Sequence, residues 1–235
     1  SMLRHPIREE DPRMAIIVPV LNEIDGIESL LSHLEIWRQR GAEIIVVDGG
    51  SDDKSDSLIE ARGFPLIRSA RGRATQMNAG ARSSQSPFLI FLHSDTRLPE
   101  HADTQVMTHL ARSETSWGRF DVRIDGRSRL LPIVGAMMNL RSRLTGIATG
   151  DQALFMTRTL FEQVGGFPEQ PLMEDVEICK RLKHITPPVC LSDRVVTSGR
   201  RWDQRGGWRT IFLMWQLRWA YWRGVPADQL AARYR

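Results

Sequence analysis

Over roughly the first 110 residues, short apolar runs rich in β-branched side chains alternate with segments of helical period, which restricts the chain to a parallel α/β fold. Met14-Ala-Ile-Ile-Val-Pro-Val20 and Glu43-Ile-Ile-Val-Val-Asp48 read as strands buried on both faces, since neither run leaves a polar face for water. Residues 65–69 and 87–93 supply a third and a fourth. Between them, Ile27, Leu30, Leu31, Leu34 and Trp37 recur at helical spacing behind a capping-box pattern over 25–28. Further helices are expected over 53–62 and 72–83, and Pro99 is expected to open another from its N1 position. Such units wind right-handedly into a doubly wound, mostly parallel sheet, and these sheets bind ligands beyond the carboxyl ends of their strands. Asp48 and His93-Ser94-Asp95 fall at such ends.

The second half is less regular. Strands are expected over 116–125, 151–157 and 188–198, and helices over 129–144, 175–184 and 208–222. A turn is expected at Gly165-Gly166-Phe167-Pro168, and Val176, Cys179 and Leu182 are expected to share the buried face of the helix that follows. No internal repeat or low-complexity segment breaks the chain, so the change near residue 115 reads as a change of role within one domain.

Composition narrows the function classes. The chain has 235 residues, 26% charged and 41% hydrophobic, enough for a sizeable core without disulfides. Two cysteines, Cys179 and Cys190, suit a reduced, cytoplasmic compartment. Ser1 before Met2 reads as a tag remnant, and no signal peptide or transmembrane run is evident. Arginine supplies 29 of 32 basic residues, which fits phosphate or carboxylate recognition as well as it fits codon bias. A net charge of +4 is too small to argue for nucleic acid.

The first strand is followed by Pro19-Val-Leu-Asn22-Glu23, so no G-x-G-x-x-G dinucleotide fingerprint stands there, and no Walker A sequence occurs. Five stretches do form an ordered set: Ile17-Val-Pro-Val-Leu-Asn-Glu23, Val46-Val-Asp-Gly-Gly-Ser-Asp52, Arg71-Gly-Arg-Ala-Thr-Gln-Met-Asn-Ala-Gly80, Phe91-Leu-His-Ser-Asp95, and Gly165-Gly-Phe167 with Glu174-Asp175. Together they resemble family 2 glycosyltransferases of the GT-A fold, over about residues 10–200, and within them the bacterial subgroup associated with radical-SAM and selenodomain genes.

The resemblance implies a nucleotide-sugar-binding half over 3–115 and an acceptor-binding, catalytic half over 116–235. It places Pro19, Asn22 and Glu23 in the wall of a nucleotide pocket, with Asp48 on the base or ribose beside the turn at Gly50. A carboxylate can accept the N3–H of uracil; the plain alternative is an aspartate that only shapes a turn. Arg71, Arg73, Gln76 and Ser94 would lie near the nucleotide or diphosphate, unless the first three form a solvated helix face. His93-Ser94-Asp95 stands where the family has its D-x-D metal motif, so Asp95 is the expected ligand of Mn²⁺ or Mg²⁺. His93 replaces the first aspartate and either joins the metal, touches ribose or packs. Asp175 matches the family's catalytic base, with Glu174 supporting it, although acids also suit a first helical turn. Gly150, Asp151 and Gln152 would border the acceptor. Arg200 or Arg201, followed by Trp202, would meet the diphosphate, but the family's glutamine of the Q-x-x-R-W motif is missing, which favours a single transfer over processive polymerisation.

Trp208, Phe212, Trp215, Trp219 and Trp222 make an aromatic stripe in a segment, 200–235, with eight arginines and two aspartates. Such a helix suits core packing, a dimer contact, a hydrophobic acceptor, or peripheral contact with a membrane. The sequence thus reads as a metal-dependent inverting transferase using a nucleotide-diphosphate sugar, UDP-linked by preference, with an acceptor not yet defined. A nucleotidyltransferase and a catalytically degenerate nucleotide-sugar-binding protein are the rival readings.

Overall fold

A computed structural model describes residues 11–200 and 222–234. Among them one sheet contains β1 Met14–Val20, β2 Glu43–Asp48, β3 Leu66–Arg68, β4 Phe88–Phe91, β5 Thr96–Arg97, β6 Trp117–Asp125, β7 Phe155–Thr157 and β8 Val189–Ser198. The helices are α1 Ile27–Gln39, α2 Ser55–Ala61, α3 Arg73–Arg82, α4 Ala102–Leu110, α5 Leu131–Thr145, α6 Arg158–Gln163, α7 Glu174–Lys183 and α8 Ala227–Tyr234, with a 3-10 turn at Gly150–Gln152.

The strand order is β3-β2-β1-β4-β7-β6-β8-β5. The first four strands in that order are parallel, as the βαβ pattern requires. Beyond β4 the sheet turns mixed: β7 runs antiparallel to β4 and β6, β8 runs parallel to β6, and β5 antiparallel to β8. The chain steps outward from β1 to β2 to β3, then α3 carries it back so that β4 joins the other side of β1. The switch point of the sheet therefore lies between β1 and β4, where ligand crevices form in α/β proteins.

Helices cover both faces, which is why β1 is buried along its whole length. Met14, Ile16, Val18 and Val20 pack with Ile27, Leu30, Leu31, Leu34 and Trp37 of α1 and with Ala102, Val106 and Leu110 of α4. Ala15 and Ile17 point the other way, into Ala74, Met77 and Ala81 of α3, Leu160 and Phe161 of α6, and Ile178, Cys179 and Leu182 of α7. Cys179 belongs to this core: its thiol is within 3.5 Å of the Ala148 carbonyl, and burial pushes it up to about 12, far from nucleophilic use.

Several local expectations are corrected. The capping box over 25–28 does not form: Gly26 is the N-cap of α1, its carbonyl already accepts from Leu30 N, and the helix starts one residue too late for Asp25 and Glu28 to pair. Pro99 does not occupy N1 of α4; its carbonyl accepts from Ala102 N in a turn, and His101 is the N-cap. The strand expected over 151–157 is only Phe155–Thr157, because Gln152 N and Ala153 N bond back to Thr149 and Gly150 and coil the preceding residues. On α7 the buried residues are Glu174, Ile178, Cys179 and Leu182, while Val176 is half-buried, because the buried stripe starts at Glu174. The 208–222 helix lies outside the described residues apart from Trp222, which is 70% exposed. No helix among the described residues is long and apolar enough to cross a membrane.

Candidate active site at the carboxyl edge of the sheet

The loops after β1 and β2 are knitted together. Asp48 is buried at the end of β2, and one carboxylate oxygen accepts from Gly50 N and Ser51 N, both at 3.0 Å, while the other accepts from Ser51 Oγ. Ser51 Oγ in turn accepts from Asn22 N at 2.9 Å, and Asn22 Oδ1 accepts from Asp52 N at 2.9 Å. This reciprocal pairing holds Asn22 at a φ of 52°, a left-handed conformation that asparagine tolerates. Ile24 N and Glu23 N are tied to Asp53 and Ser55 in the same way. Pro19 is buried within β1, opposite Val47.

Helix α3 acts as a joint. Gln76 is buried, and its amide donates to the Val20 and Val47 carbonyls, both at 2.9 Å, tying α3 to the carboxyl ends of β1 and β2. The same amide packs so closely on Gly49 that a Cβ there would come within 2.7 Å of it. Asn78 pairs with both backbone groups of Phe167, donating at 2.8 Å and accepting at 2.9 Å. That pins the Gly165–Gly166 turn, and with it the approach to α7, onto α3. Arg71 and Arg73 are exposed at the start of this helix.

Across the switch point, Ser94 Oγ donates to Glu23 Oε1 at 2.8 Å. Arg97 donates to the Ser94 and Thr96 carbonyls and to Ser29 Oγ, so one guanidinium braces the loop that presents Asp95. His93 is buried, with Nδ1 3.4 Å from Asp151 Oδ1 and Nε2 lacking a hydrogen-bond partner among the described residues. His93, Asp95 and Asp151 each offer a ligand atom, all within 4.8 Å of one another. The ring of His93 lies against Gly150, where a Cβ would approach it to 2.3 Å, so this position admits only glycine.

Gly150 links this cluster to the acidic pair. Its N–H donates to Asp175 Oδ2 at 2.8 Å, and Asp175 Oδ1 accepts from Val176 N at 2.8 Å. Met173, at a φ of 64°, makes the strained turn that starts α7 and aims Glu174 inward. Burial and then the neighbouring Asp175 raise the Glu174 carboxyl above its ordinary range, against the pull of Arg73 and His93. Gln152 is buried, its amide donating to Phe120 O at 3.3 Å and accepting from Thr149 N at 3.1 Å. Ser198 N donates to Asp95 O at 3.2 Å, which brings the exposed Arg200 to the Asp95 side; Arg201 and Trp202 lie outside the described residues.

The glycosyl transferase family 2 model matches residues 15–161. The chain belongs to that family. Solved structures place the family 2 chain among GT-A folds: a mannosyltransferase of Pyrobaculum calidifontis, PcManGT, in complex with GDP-Man and Mn²⁺ aligns with a TM-score of 0.63 at 20% identity, over 89% of this chain and 61% of that one. TarS 1-349 of S. aureus in complex with UDP-GlcNAc aligns with a TM-score of 0.63 at 18% identity, over 79% of this chain and 58% of that one. The family 2 chain thus spans less than two thirds of these relatives, and the likeness concerns fold. A comparison with curated proteins finds no match.

Within this family 2 fold, the sequence reading missed Asn78, Arg97 and the grouping of Asp151 with His93. Asn78 left one visible trace: with Gln76 and Gly80 it puts small or polar residues at every second position of a helix that must pack on a sheet. Nothing local announces Arg97, whose partners sit in two different loops and α1.

Proposed function

We propose that the chain transfers a sugar from a nucleoside-diphosphate sugar to an acceptor hydroxyl with inversion, one transfer per acceptor. The observation that carries this reading is the adjacency of two clusters: Gly150 holds the Asp175 carboxylate while the next residue, Asp151, closes on His93 and Asp95. One centre suits a diphosphate with its counter-ion, and the other suits proton removal from the attacking hydroxyl.

His93, Asp95 and Asp151 fit a divalent cation. One imidazole with two carboxylates is a mixed nitrogen and oxygen set, and the Nε2 of His93 is buried without a partner. Such a set favours Mn²⁺ over Mg²⁺, which prefers oxygen and water. A cation there would neutralise charge gathering on the departing diphosphate.

The chain's own residues do the rest. Asp175 is the base, oriented by the amides of Gly150 and Val176. Burial, and then its acidic neighbour, raise the Glu174 carboxyl above its ordinary range, so Glu174 supports the base from the start of α7. Arg73 and Arg200 reach the diphosphate, and Arg71 extends the same basic edge. The turn at Gly50 and Ser51, held in shape by the Asp48 carboxylate, receives the nucleoside, with UDP the first choice. Residues 3–115 then bind the nucleotide sugar and 116–235 form the acceptor-binding and catalytic half, from which Asp151 and Arg200 reach back to the diphosphate. A thermal-shift panel of UDP- and GDP-sugars with and without Mn²⁺ tests the reading. A donor at about 100 times its Kd raises the melting point by about 5–10 °C, and only with Mn²⁺. No shift with any donor would remove it.

A further inference from the structure

Gln152 is fully buried in the 3-10 turn that carries Gly150 and Asp151, and both ends of its amide are engaged. Its Oε1 accepts from Thr149 N at 3.1 Å, as the last residue of a capping box does, so the side chain folds back over its own turn. Its Nε2 donates to Phe120 O at 3.3 Å and ties the turn to β6. The register between β6 and β8 shifts at that point, between Phe120 and Asp121, and such irregularities gather beside active sites, where they re-aim side chains. With no exposed surface, the Gln152 amide acts on the turn and not on a ligand.

Two parts of the candidate site hang from this one turn. The Gly150 N–H donates to Asp175 Oδ2 at 2.8 Å, and the Asp151 carboxylate stands 3.4 Å from His93 Nδ1. The turn has little room to shift. Gly150 is pressed against the His93 ring, and Ala153 closes the turn at a φ of 51°, a left-handed conformation that is costly for alanine. Just before the turn, Ala148 N donates to Cys179 Sγ and Ala148 O accepts from it, both at 3.5 Å, which moors the segment to α7.

We infer that Gln152 is a positioning residue. By clamping the turn to β6 it holds Asp151 toward the cation and the Gly150 N–H on the base, so that cation binding and base orientation are set together. This rests on the cation and base roles proposed above. A group that fixes a metal ligand without touching the metal ordinarily carries about 10–100-fold of the affinity.

The test is Mn²⁺ binding to the full chain, read from the free-ion electron paramagnetic resonance signal, in wild type, Gln152→Met and Asn139→Ala. Gln152→Met keeps the length of the side chain and removes both amide bonds. Asn139→Ala is the structural control, because the buried Asn139 amide makes a matching pair of bonds to Val122 of the same strand, accepting at 2.8 Å and donating at 3.1 Å. Both variants are expected to melt below wild type. Measured well below either melting point, Mn²⁺ affinity is expected to fall about 10–100-fold in Gln152→Met and to stay within about twofold in Asn139→Ala. Gln152→Asn, one methylene too short to span Thr149 N and Phe120 O, is the milder variant with the same expected direction. A role in stability alone would lower the melting points and leave the affinities alike, and that result would overturn the inference. Absence of Mn²⁺ uptake by wild type would instead remove the cation role, and this inference with it. Hydrogen exchange of wild type needs no variant: Mn²⁺ is expected to slow exchange over 148–153 and over 174–178 together. Exchange at the start of α7 left unchanged by Mn²⁺ would sink the coupling.

Discussion

Asp48 and Asp95 follow strands on either side of β1, at the same edge of one sheet, yet the protein treats their carboxylates differently. Asp48 is buried, and both of its oxygens are engaged by its own turn at Gly50 and Ser51. Asp95 is exposed and converges with Asp151 on a histidine whose Nε2 is buried and unpartnered among the described residues. Around Asp48, motif residues such as Gln76 and Asn22 serve as joints between loops; around Asp95, the carboxylate is exposed and His93 Nε2 is buried with no partner among the described residues. The lesson is chemical. A conspicuous polar residue whose bonds are all internal builds the scaffold, and one held in place with capacity to spare marks where a ligand belongs.

The largest expected effect is on the open side. Asp175→Asn keeps one of the two oxygens that accept from Gly150 N and Val176 N but removes the base, and is expected to lower transfer by about 10²–10⁴-fold while the donor-induced thermal shift persists. A near wild-type rate in that variant would place the base elsewhere. On the closed side the expected loss is in stability. Asn78→Ala leaves the Phe167 N–H and carbonyl unpaired in a buried turn, costing about 2–3 kcal/mol by chemical denaturation. Asp95→Asn, by contrast, is expected to stay within about 0.5 kcal/mol of wild type. Equal costs at the two positions would erase the distinction between them.

A pH dependence sharpens the comparison further. His33 Nε2 accepts from Trp37 Nε1 at 3.2 Å and from Leu98 N at 3.0 Å, so it must be neutral in the folded state. Burial, and then Arg97, lower its pKa from 6.5 to about 4. Between those values the unfolded chain binds a proton that the folded chain refuses. Its contribution is therefore complete above pH 6.5 and is lost as the pH falls toward 4. The amount is about 2–3 kcal/mol, and His33→Gln, which keeps an acceptor, should lose correspondingly less over that range.

Much of the first half was legible because its information is local: strand runs, helical period and strand-end aspartates are visible within windows of a few residues. The boundaries that failed were those decided by a neighbour. Gly26 displaced the box at Asp25 by taking the first helical bond, and Thr149 with Gln152 coiled a segment whose composition suited a strand. In the second half the decisive contacts are distant in sequence. Asn78 meets Phe167, Asn139 meets Val122, and Asp151 meets His93 only once the sheet is closed. Sequence reasoning put Asp151 at the acceptor border, since nothing in its own surroundings names His93 as its neighbour.

Mn²⁺ binding measured by loss of the free-ion electron paramagnetic resonance signal tests the central claim most directly, with wild type, Asp48→Asn, Asp95→Asn and His93→Ala compared side by side. The account predicts that wild type and Asp48→Asn take up Mn²⁺, that Asp95→Asn and His93→Ala do not, and that all four remain folded. Uptake by Asp95→Asn equal to wild type, or its loss in Asp48→Asn, would contradict it.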